Sequence, residues 1–234
     1  MGAPAVIFTW NIPAEDGGSP VEELLVGFDR SRPVRVLVLP AWFDEANKLR
    51  RFTHEVMRRL DTAGIDALLP DLPGCNESLA ALELQTLAGW QAAAAAAGEQ
   101  IGATHVLAIR AGALLAPAGL PGWHYAALSG PKLLRAMIRA GMIAAGEAGK
   151  AETSEGLMER GRAAGVVLGG WAIGRDLLCA LESAEPTLAP GQSDIAQSAL
   201  GGSGLWLRAE PDDDAAQVDR LAALIVQSLA ESAG

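Results

Sequence analysis

The feature that most constrains the fold is a regular alternation of short apolar runs with longer segments of helical periodicity. The runs are rich in β-branched residues and bounded by turn-forming residues, as is typical of strands covered on both faces. Between them, apolar residues recur at three- and four-residue intervals, for example in the segment that closes at Gly64. This alternation predicts a mostly parallel sheet with right-handed crossovers and helices on both faces. The predicted parallel strands lie in PVRVLVLP, IDALLPDLPG, THVLAI and WHYAALSG.

The two ends of the chain and one internal segment depart from this alternation. AVIFTW and EELLVGF predict an opening strand pair around the turn PAEDGGSP, and LWLRAEP predicts a final strand before the helix DAAQVDRLAALIVQSLAESA. ESLAALELQTLAGWQAAAAAAGEQIG predicts one long helix ending at Gly102, and a further helix is expected from about Ala111. Residues 131–170 are amphipathic, helical and broken by glycines, which predicts a small helical cap without a strand of its own.

Composition limits the classes of protein that this chain can belong to. A length of 234 residues, 50% of them hydrophobic, suits a single domain spanning residues 1–234. The net charge of −10 without a lysine and arginine cluster argues against a nucleic-acid partner. Two cysteines without paired spacing indicate a reducing compartment. The chain shows no signal peptide and no long uninterrupted apolar run, so we expect a cytoplasmic protein that does not span a membrane.

The stretch HVLAIRAGALLAP carries a strand, a sharp turn and the start of a helix. In α/β-hydrolases such a turn has the pattern G-x-S-x-G, in which small flanking residues allow a strained backbone at the nucleophilic serine. Here the frame reads Ala108-Ile109-Arg110-Ala111-Gly112, which keeps the small flanks and replaces the serine by arginine. This pattern predicts a positive φ at Arg110 with the side chain directed into a pocket, although an ordinary strand–turn–helix fits the five residues as well.

Four further segments extend the likeness. LPDLPGCNES is similar to the D-x-x-G-x-G-x-S loop of these hydrolases, and LPAWFDEANKLRR stands where they keep an oxyanion loop. Together with SGPKLL and LGGWAIGRDLLCAL, these segments resemble the exosortase A system-associated hydrolase 2 family over residues 34–231. The resemblance implies a three-layer α/β-hydrolase fold and a partner in exopolysaccharide or protein-sorting machinery. Residues 186–204 look shortened, so the strand that carries the triad acid is expected to be reduced or missing.

The remaining members of a serine–histidine–acid triad are not found. The three histidines are His54, His105 and His124, and none lies in the loop after the expected last strand, near residues 208–214. Without serine and histidine the usual alkoxide cannot form. Two hypotheses remain: a degenerate hydrolase that binds an anionic ligand or a protein partner, and an active esterase or thioesterase with an unusual nucleophile. The first predicts no hydrolysis of simple esters.

The candidate site residues follow from the expected edge of the sheet. In this fold the elbow residue meets the residue after the last strand, so we predict an ion pair between Arg110 and Glu210 where serine and histidine normally stand. The alternative is that Arg110 holds an anionic ligand at the amino end of the elbow helix, and a ligand could also share the guanidinium with Glu210. Cys75 is either a thiolate nucleophile or a small loop residue, and the charges from Asp44 to Arg51 either form a pocket rim or a solvated first helical turn. No metal or phosphate-binding motif occurs, so neither metal nor cofactor is expected. The predicted ligand-binding residues are Trp42, Asn47, Lys48, Cys75, Arg110, Ala111 and Glu210.

Overall fold

The computed structural model of the chain describes residues 5–12, 20–149 and 152–232, and a seven-stranded sheet forms its centre. The strands are β1 (Val6–Ile12), β2 (Val21–Phe28), β3 (Arg35–Leu39), β4 (Asp66–Pro70), β5 (His105–Ile109), β6 (Gly122–Tyr125), β7 (Val166–Leu168), β8 (Trp171–Ile173) and β9 (Gln192–Ile195). The helices are α1 (Phe43–Thr62), α2 (Leu87–Gln100), α3 (Gly130–Glu147), α4 (Ser154–Ala164), α5 (Arg175–Leu181) and α6 (Ala215–Ser232).

The predicted mostly parallel sheet is confirmed. Its strand order is β1-β2-β4-β3-β5-β6-β9, with antiparallel pairing of β1, β2 and β4 at one side. The pairs from β4 through β3, β5 and β6 to β9 are all parallel. The opening strand pair is therefore also confirmed, while most of its predicted turn (residues 13–19) lies outside the described residues.

Two apolar cores lie on opposite faces of the sheet, because the central strands are apolar on both of their alternating sides. On one face α1 and α6 bury residues such as Phe52 and Leu221 against the sheet. On the other face α2, α3 and α5 pack around Trp90, Leu134 and Leu178. The carboxyl ends of the parallel strands are left to the loops between these layers, where ligands bind in open α/β sheets.

Two predicted helices are shorter than expected. The alanine-rich helix begins at Leu87, because Thr86 caps its first turn by accepting a hydrogen bond from the Gly89 N–H over 2.9 Å. The helix expected from Ala111 is a 3₁₀ segment, Arg110–Leu115. Pro117 prevents its extension, since a proline ring clashes with the preceding helical turn.

The predicted final strand is wrong. LWLRAEP forms a 3₁₀ turn, Leu205–Leu207, and the last strand of the sheet is β9, inside the stretch expected to be shortened. β9 already occupies the free edge beside β6, so the later segment pairs with no strand there. The cap segment was also expected to lack strands, but it ends in β7, which pairs with β8 in a small hairpin.

A network of ion pairs closes the amino ends of the central strands. Asp66, at the start of β4, has no exposed surface and accepts hydrogen bonds of 3.0 Å from the backbone N–H groups of Arg30 and Arg32. It also accepts from the guanidinium groups of Arg32 (3.3 Å) and Arg35 (3.1 Å). Arg35 holds Asp29 in turn through two bonds of 2.8 and 2.9 Å. The network therefore ties the loop before β3 to the start of β4.

Candidate functional site

The backbone after β5 has the strained turn that the sequence predicts. Arg110 has a φ of +56°, a conformation that costs a residue with a side chain about 1 kcal/mol or more. Two residues further on, a Cβ atom on Gly112 would lie 2.4 Å from the carbonyl oxygen of Leu39, closer than atoms can approach. The prediction of a positive φ at Arg110 is thus confirmed, and Gly112 is required by the close approach of β3.

The Arg110 side chain is almost completely enclosed, at 10% exposure. Its Nε and Nη2 donate to the two carboxylate oxygens of Glu45 over 2.9 and 2.8 Å, and its Nη1 donates to the carbonyl oxygen of Ala126 over 2.8 Å. The guanidinium carbon lies 3.9 Å from the ring centroid of Trp206, within the range of a cation–π contact. Each guanidinium nitrogen is therefore engaged by the protein itself.

The predicted ion pair between Arg110 and Glu210 is wrong. The carboxylate that meets Arg110 belongs to Glu45, in the first turn of α1, whereas Glu210 is exposed beyond the 3₁₀ turn Leu205–Leu207. The expected pair depended on a final strand that is absent among the described residues. The segment brings Trp206 to the guanidinium in its place.

Backbone strain is concentrated at this edge of the sheet. Four residues with side chains have a positive φ in the turns after successive strands: Phe43 (56°) after β3, Asn76 (50°) after β4, Arg110 (56°) after β5 and Ala126 (48°) after β6. Strained conformations persist only where the surrounding structure enforces them, and they cluster at functional sites. The strand order changes direction between β3 and β5, and in open α/β sheets ligands bind at the carboxyl edge of such a point. The strained turns lie at this same edge.

A cavity of about 470 Å³ lies beside Arg110 and under the segment predicted as the cap. One part of its lining is aromatic and a second part is charged, and α3 supplies much of the apolar remainder. The volume falls in the range of small-molecule sites. The aromatic lining residues are Trp42, Phe43, Trp171 and Trp206, and the charged ones are Asp44, Glu45, Lys48, Arg110 and Lys132.

Three of the predicted ligand-binding residues line this cavity, namely Trp42, Lys48 and Arg110. Asn47 does not line it and contributes instead to two other cavities, one of about 370 Å³ and a minor one of about 30 Å³. Ala111 is fully buried and contributes nothing to the cavity wall. The cavity also contains residues that the sequence did not single out, above all Trp206, Trp171 and Lys132, because their approach depends on the folding of the segments after β6.

Cys75 lies in the minor cavity and is poorly suited to nucleophilic attack. Burial, with the nearby charges of Asp71 and Glu23, raises the pKa of the Cys75 thiol to about 12. Almost no thiolate is present at neutral pH in such a setting, and the thiolate is the reactive form. A thiolate nucleophile at Cys75 has no support in this arrangement.

The three histidines lie away from the cavity. His54 is on α1, His105 begins β5 and His124 is in β6, and burial lowers the pKa of each. Among the described residues, the cavity lining contains no serine, threonine, cysteine or histidine. Within the same residues no group of three or more His, Cys, Asp or Glu side chains could hold a metal ion.

Comparison with known proteins gives structural neighbours only. No family model matches the chain, and no curated protein matches it. Alpha/beta hydrolase domain-containing protein 10 from mouse is 10% identical, with a TM-score of 0.56 over 97% of this chain and 100% of that one. A haloalkane dehalogenase loop variant from Bradyrhizobium elkanii is 14% identical, with a TM-score of 0.55 over 98% of this chain and 99% of that one.

A hypothetical protein from Pseudomonas aeruginosa is 11% identical, with a TM-score of 0.53 over 97% of this chain and 95% of that one. Together with the sheet order and the strained turn after β5, these likenesses define the class: the chain has an α/β-hydrolase fold, as predicted. At these identities they establish the fold and leave the chemistry to the site. Within the described residues, no helix has the length and apolar composition needed to cross a membrane.

Proposed function

We propose that this chain is a degenerate α/β-hydrolase-fold protein that binds an amphipathic, anionic small molecule in the cavity beside Arg110. The observation that carries the proposal is the two-point ion pair between Arg110 and Glu45. It fills the position of the nucleophile with a guanidinium that is neutralised, stacked on Trp206 and bonded to the backbone. Such a group can hold a cavity open and polar on one side, but it can neither attack a carbonyl carbon nor accept a proton.

The lining favours a ligand with an apolar body and an acidic end. Aromatic rings supply large apolar surfaces against which a flat or acyl group packs. Among the charged lining residues, Arg110 is neutralised by Glu45, and the Lys48 Nζ lies 2.8 Å from the Oδ2 of Asp44. Lys132, at the start of α3, makes no ion pair within the described part of the chain. We therefore assign the anionic end of the ligand to Lys132 rather than to Arg110, where the sequence had placed it.

The finer assignments rest on the sequence resemblance. If the chain belongs with exosortase A system-associated hydrolases, its ligand or protein partner comes from exopolysaccharide or protein-sorting machinery, and it acts in the cytoplasm as one domain with a helical cap. The alternative, an active esterase or thioesterase, requires a nucleophile in the cavity. No described lining residue carries a hydroxyl or a thiol group, which favours the binding function.

The absence of hydrolysis is tested with a fluorophosphonate probe and p-nitrophenyl acetate and butyrate. We expect no labelling and no turnover above a heat-denatured control. The variant Arg110→Ser should also stay inactive, because a serine at the elbow still lacks a histidine. Stoichiometric labelling of a single serine in the unmodified protein would show that the chain is an enzyme.

Ligand binding is tested through the tryptophan fluorescence of the cavity. Titration with dodecanoate and with 1-naphthoate should change this fluorescence saturably, and dodecanol and dodecylamine should bind at least 10-fold more weakly. Lys132→Gln should weaken binding of the acids about 5- to 10-fold, whereas Arg175→Gln, an exposed arginine on α5, should leave it unchanged. Equal affinity for acid, alcohol and amine, or no effect of Lys132→Gln, would contradict an anionic ligand.

A further inference from the structure

A second concave surface lies on α3, separate from the cavity. It is a groove of about 540 Å³ between α3 and α4, open to solvent. Leu134, Ile138 and Met142 from α3 and Met158 from α4 form its apolar floor. Arg135 and Arg139, both exposed, form one rim. The cavity beside Arg110 uses different residues of α3, so the helix presents one face to each concavity.

The dimensions of the groove match one side of a short helix. The lining residues of α3 run from Pro131 to Met142, which at 1.5 Å per residue is about 16 Å, or three helical turns. Small-molecule sites enclose most of their ligand, and a groove this open cannot do so. An amphipathic helix needs only its apolar face to be covered, and methionine side chains adapt well to such a face.

The charged residues along the groove indicate that a partner would be acidic. Arg135 and Arg139 stand one turn apart on α3, and neither forms an ion pair within the described residues. The carboxylate at the far end of the groove, Glu182, is already bound by Arg162 through two bonds of 2.8 and 3.1 Å. In a chain with a net charge of −10, this is a locally basic rim beside an apolar floor.

We propose that this groove docks an acidic amphipathic helix of a partner protein. Acidic side chains one turn apart on that helix would bond Arg135 and Arg139, while its apolar face covers Ile138, Met142 and Met158. The proposal goes beyond ligand binding in the cavity and does not depend on it. A bilayer fits less well, because the apolar residues line a concavity, whereas insertion into a lipid surface needs apolar side chains that project from the protein.

The test uses a fluorescein-labelled 16-residue peptide with leucine and methionine on one face and glutamates four residues apart beside it. A control peptide carries lysine at the glutamate positions. In fluorescence anisotropy we expect the acidic peptide to bind with a micromolar Kd at low salt and the lysine peptide at least 10-fold more weakly. Arg135→Glu/Arg139→Glu should weaken the acidic peptide at least 10-fold, and Met142→Ala about 3-fold.

The matched control is Arg58→Glu/Arg220→Glu, which makes the same change in net charge at exposed sites on α1 and α6 and should alter the Kd less than 2-fold. Circular dichroism establishes that each variant is folded. Equal binding of both peptides, no binding of the acidic one, or insensitivity to the α3 reversal overturns the proposal. So do two other results that depend on Arg135 and Arg139: dimerisation of the protein alone in sedimentation, and pelleting with phosphatidylglycerol vesicles in place of peptide binding.

Discussion

The carboxylates at the two ends of the central sheet have pKa values that are shifted in opposite directions. At the amino end, a hydrogen bond from Arg35 lowers the pKa of Asp29 to about 2, and Asp66 is fully enclosed by donors. At the carboxyl end, burial raises the pKa of Glu23 and of Asp71. Lowered carboxylate pKa values stabilise the folded state at neutral pH, and raised ones oppose it.

The backbone follows the same division. Four of the five described residues other than glycine that have a positive φ lie in the turns after β3, β4, β5 and β6, at the carboxyl end, and the fifth, Ser31, lies in the loop before β3. We infer that the amino end contributes more to stability, whereas the carboxyl end retains the strain and desolvated charge that are typical of functional sites. The ion pair of Arg110 and Glu45 belongs to this second end.

The largest effect is expected at the amino end. Asp66→Ala leaves two backbone N–H groups and two guanidinium groups without their buried acceptor, and we expect it to lower the free energy of unfolding by about 3–5 kcal/mol. Urea denaturation at pH 7 measures the change. Asp219→Ala removes an exposed ion pair with Arg59 and should cost less than about 1 kcal/mol. Similar losses in the free energy of unfolding at both positions would show that the buried network around Asp66 contributes no more than an exposed ion pair.

Breaking the pair at the carboxyl end should cost somewhat less. Glu45→Ala leaves the Arg110 guanidinium enclosed without its carboxylate, for an expected loss of about 2–4 kcal/mol, moderated because the pair borders the cavity. The double variant Glu45→Ala/Arg110→Met should be at least about 1 kcal/mol more stable than Glu45→Ala, since it leaves no unpaired charge. Additive costs of the single changes in a double-mutant cycle would show that the two side chains are not coupled.

The pH dependence of stability should come mainly from the amino end. The pKa of Asp29 is about 2 in the folded protein and about 4 in the unfolded chain, so its contribution is complete above pH 4 and is lost as the pH falls toward 2. Asp29→Asn should therefore destabilise by about 1–2 kcal/mol at pH 7 and by almost nothing near pH 2. Urea denaturation at pH 7, 4 and 2.5 follows the change, with Asp176→Asn, an exposed position on α5, as the control. A constant difference at all three pH values would contradict the assignment.

The smallest effect is expected from the ring that covers Arg110. Trp206→Leu removes the cation–π contact and should lower the free energy of unfolding by about 1 kcal/mol, beyond the change in packing. In an Arg110→Met background the same substitution should cost less, because no cation remains to be lost. Equal costs in both backgrounds would assign Trp206 to packing alone.

Local patterns in the sequence account for much of the fold. The strands from β1 to β6 and the helices α1 and α6 follow from apolar periodicity, because a two-faced core requires it wherever the chain folds. The turn at Arg110 also follows from local chemistry, since small residues at 108 and 112 are needed only where backbone segments approach closely. Helix ends were less well determined: the start of α2 depends on Thr86, a polar residue inside a longer helical pattern.

The sequence by itself determined the α/β architecture and the strained turn with arginine at position 110. Only the tertiary structure decided what Arg110 binds. Its partner, Glu45, is 65 residues away in the chain, and Trp206 reaches it from a segment that resembles a strand but finds the sheet edge already occupied by β9. A buried guanidinium must be paired, so the sequence demands a carboxylate there. Which carboxylate arrives depends on how separate elements pack, and no local pattern encodes that.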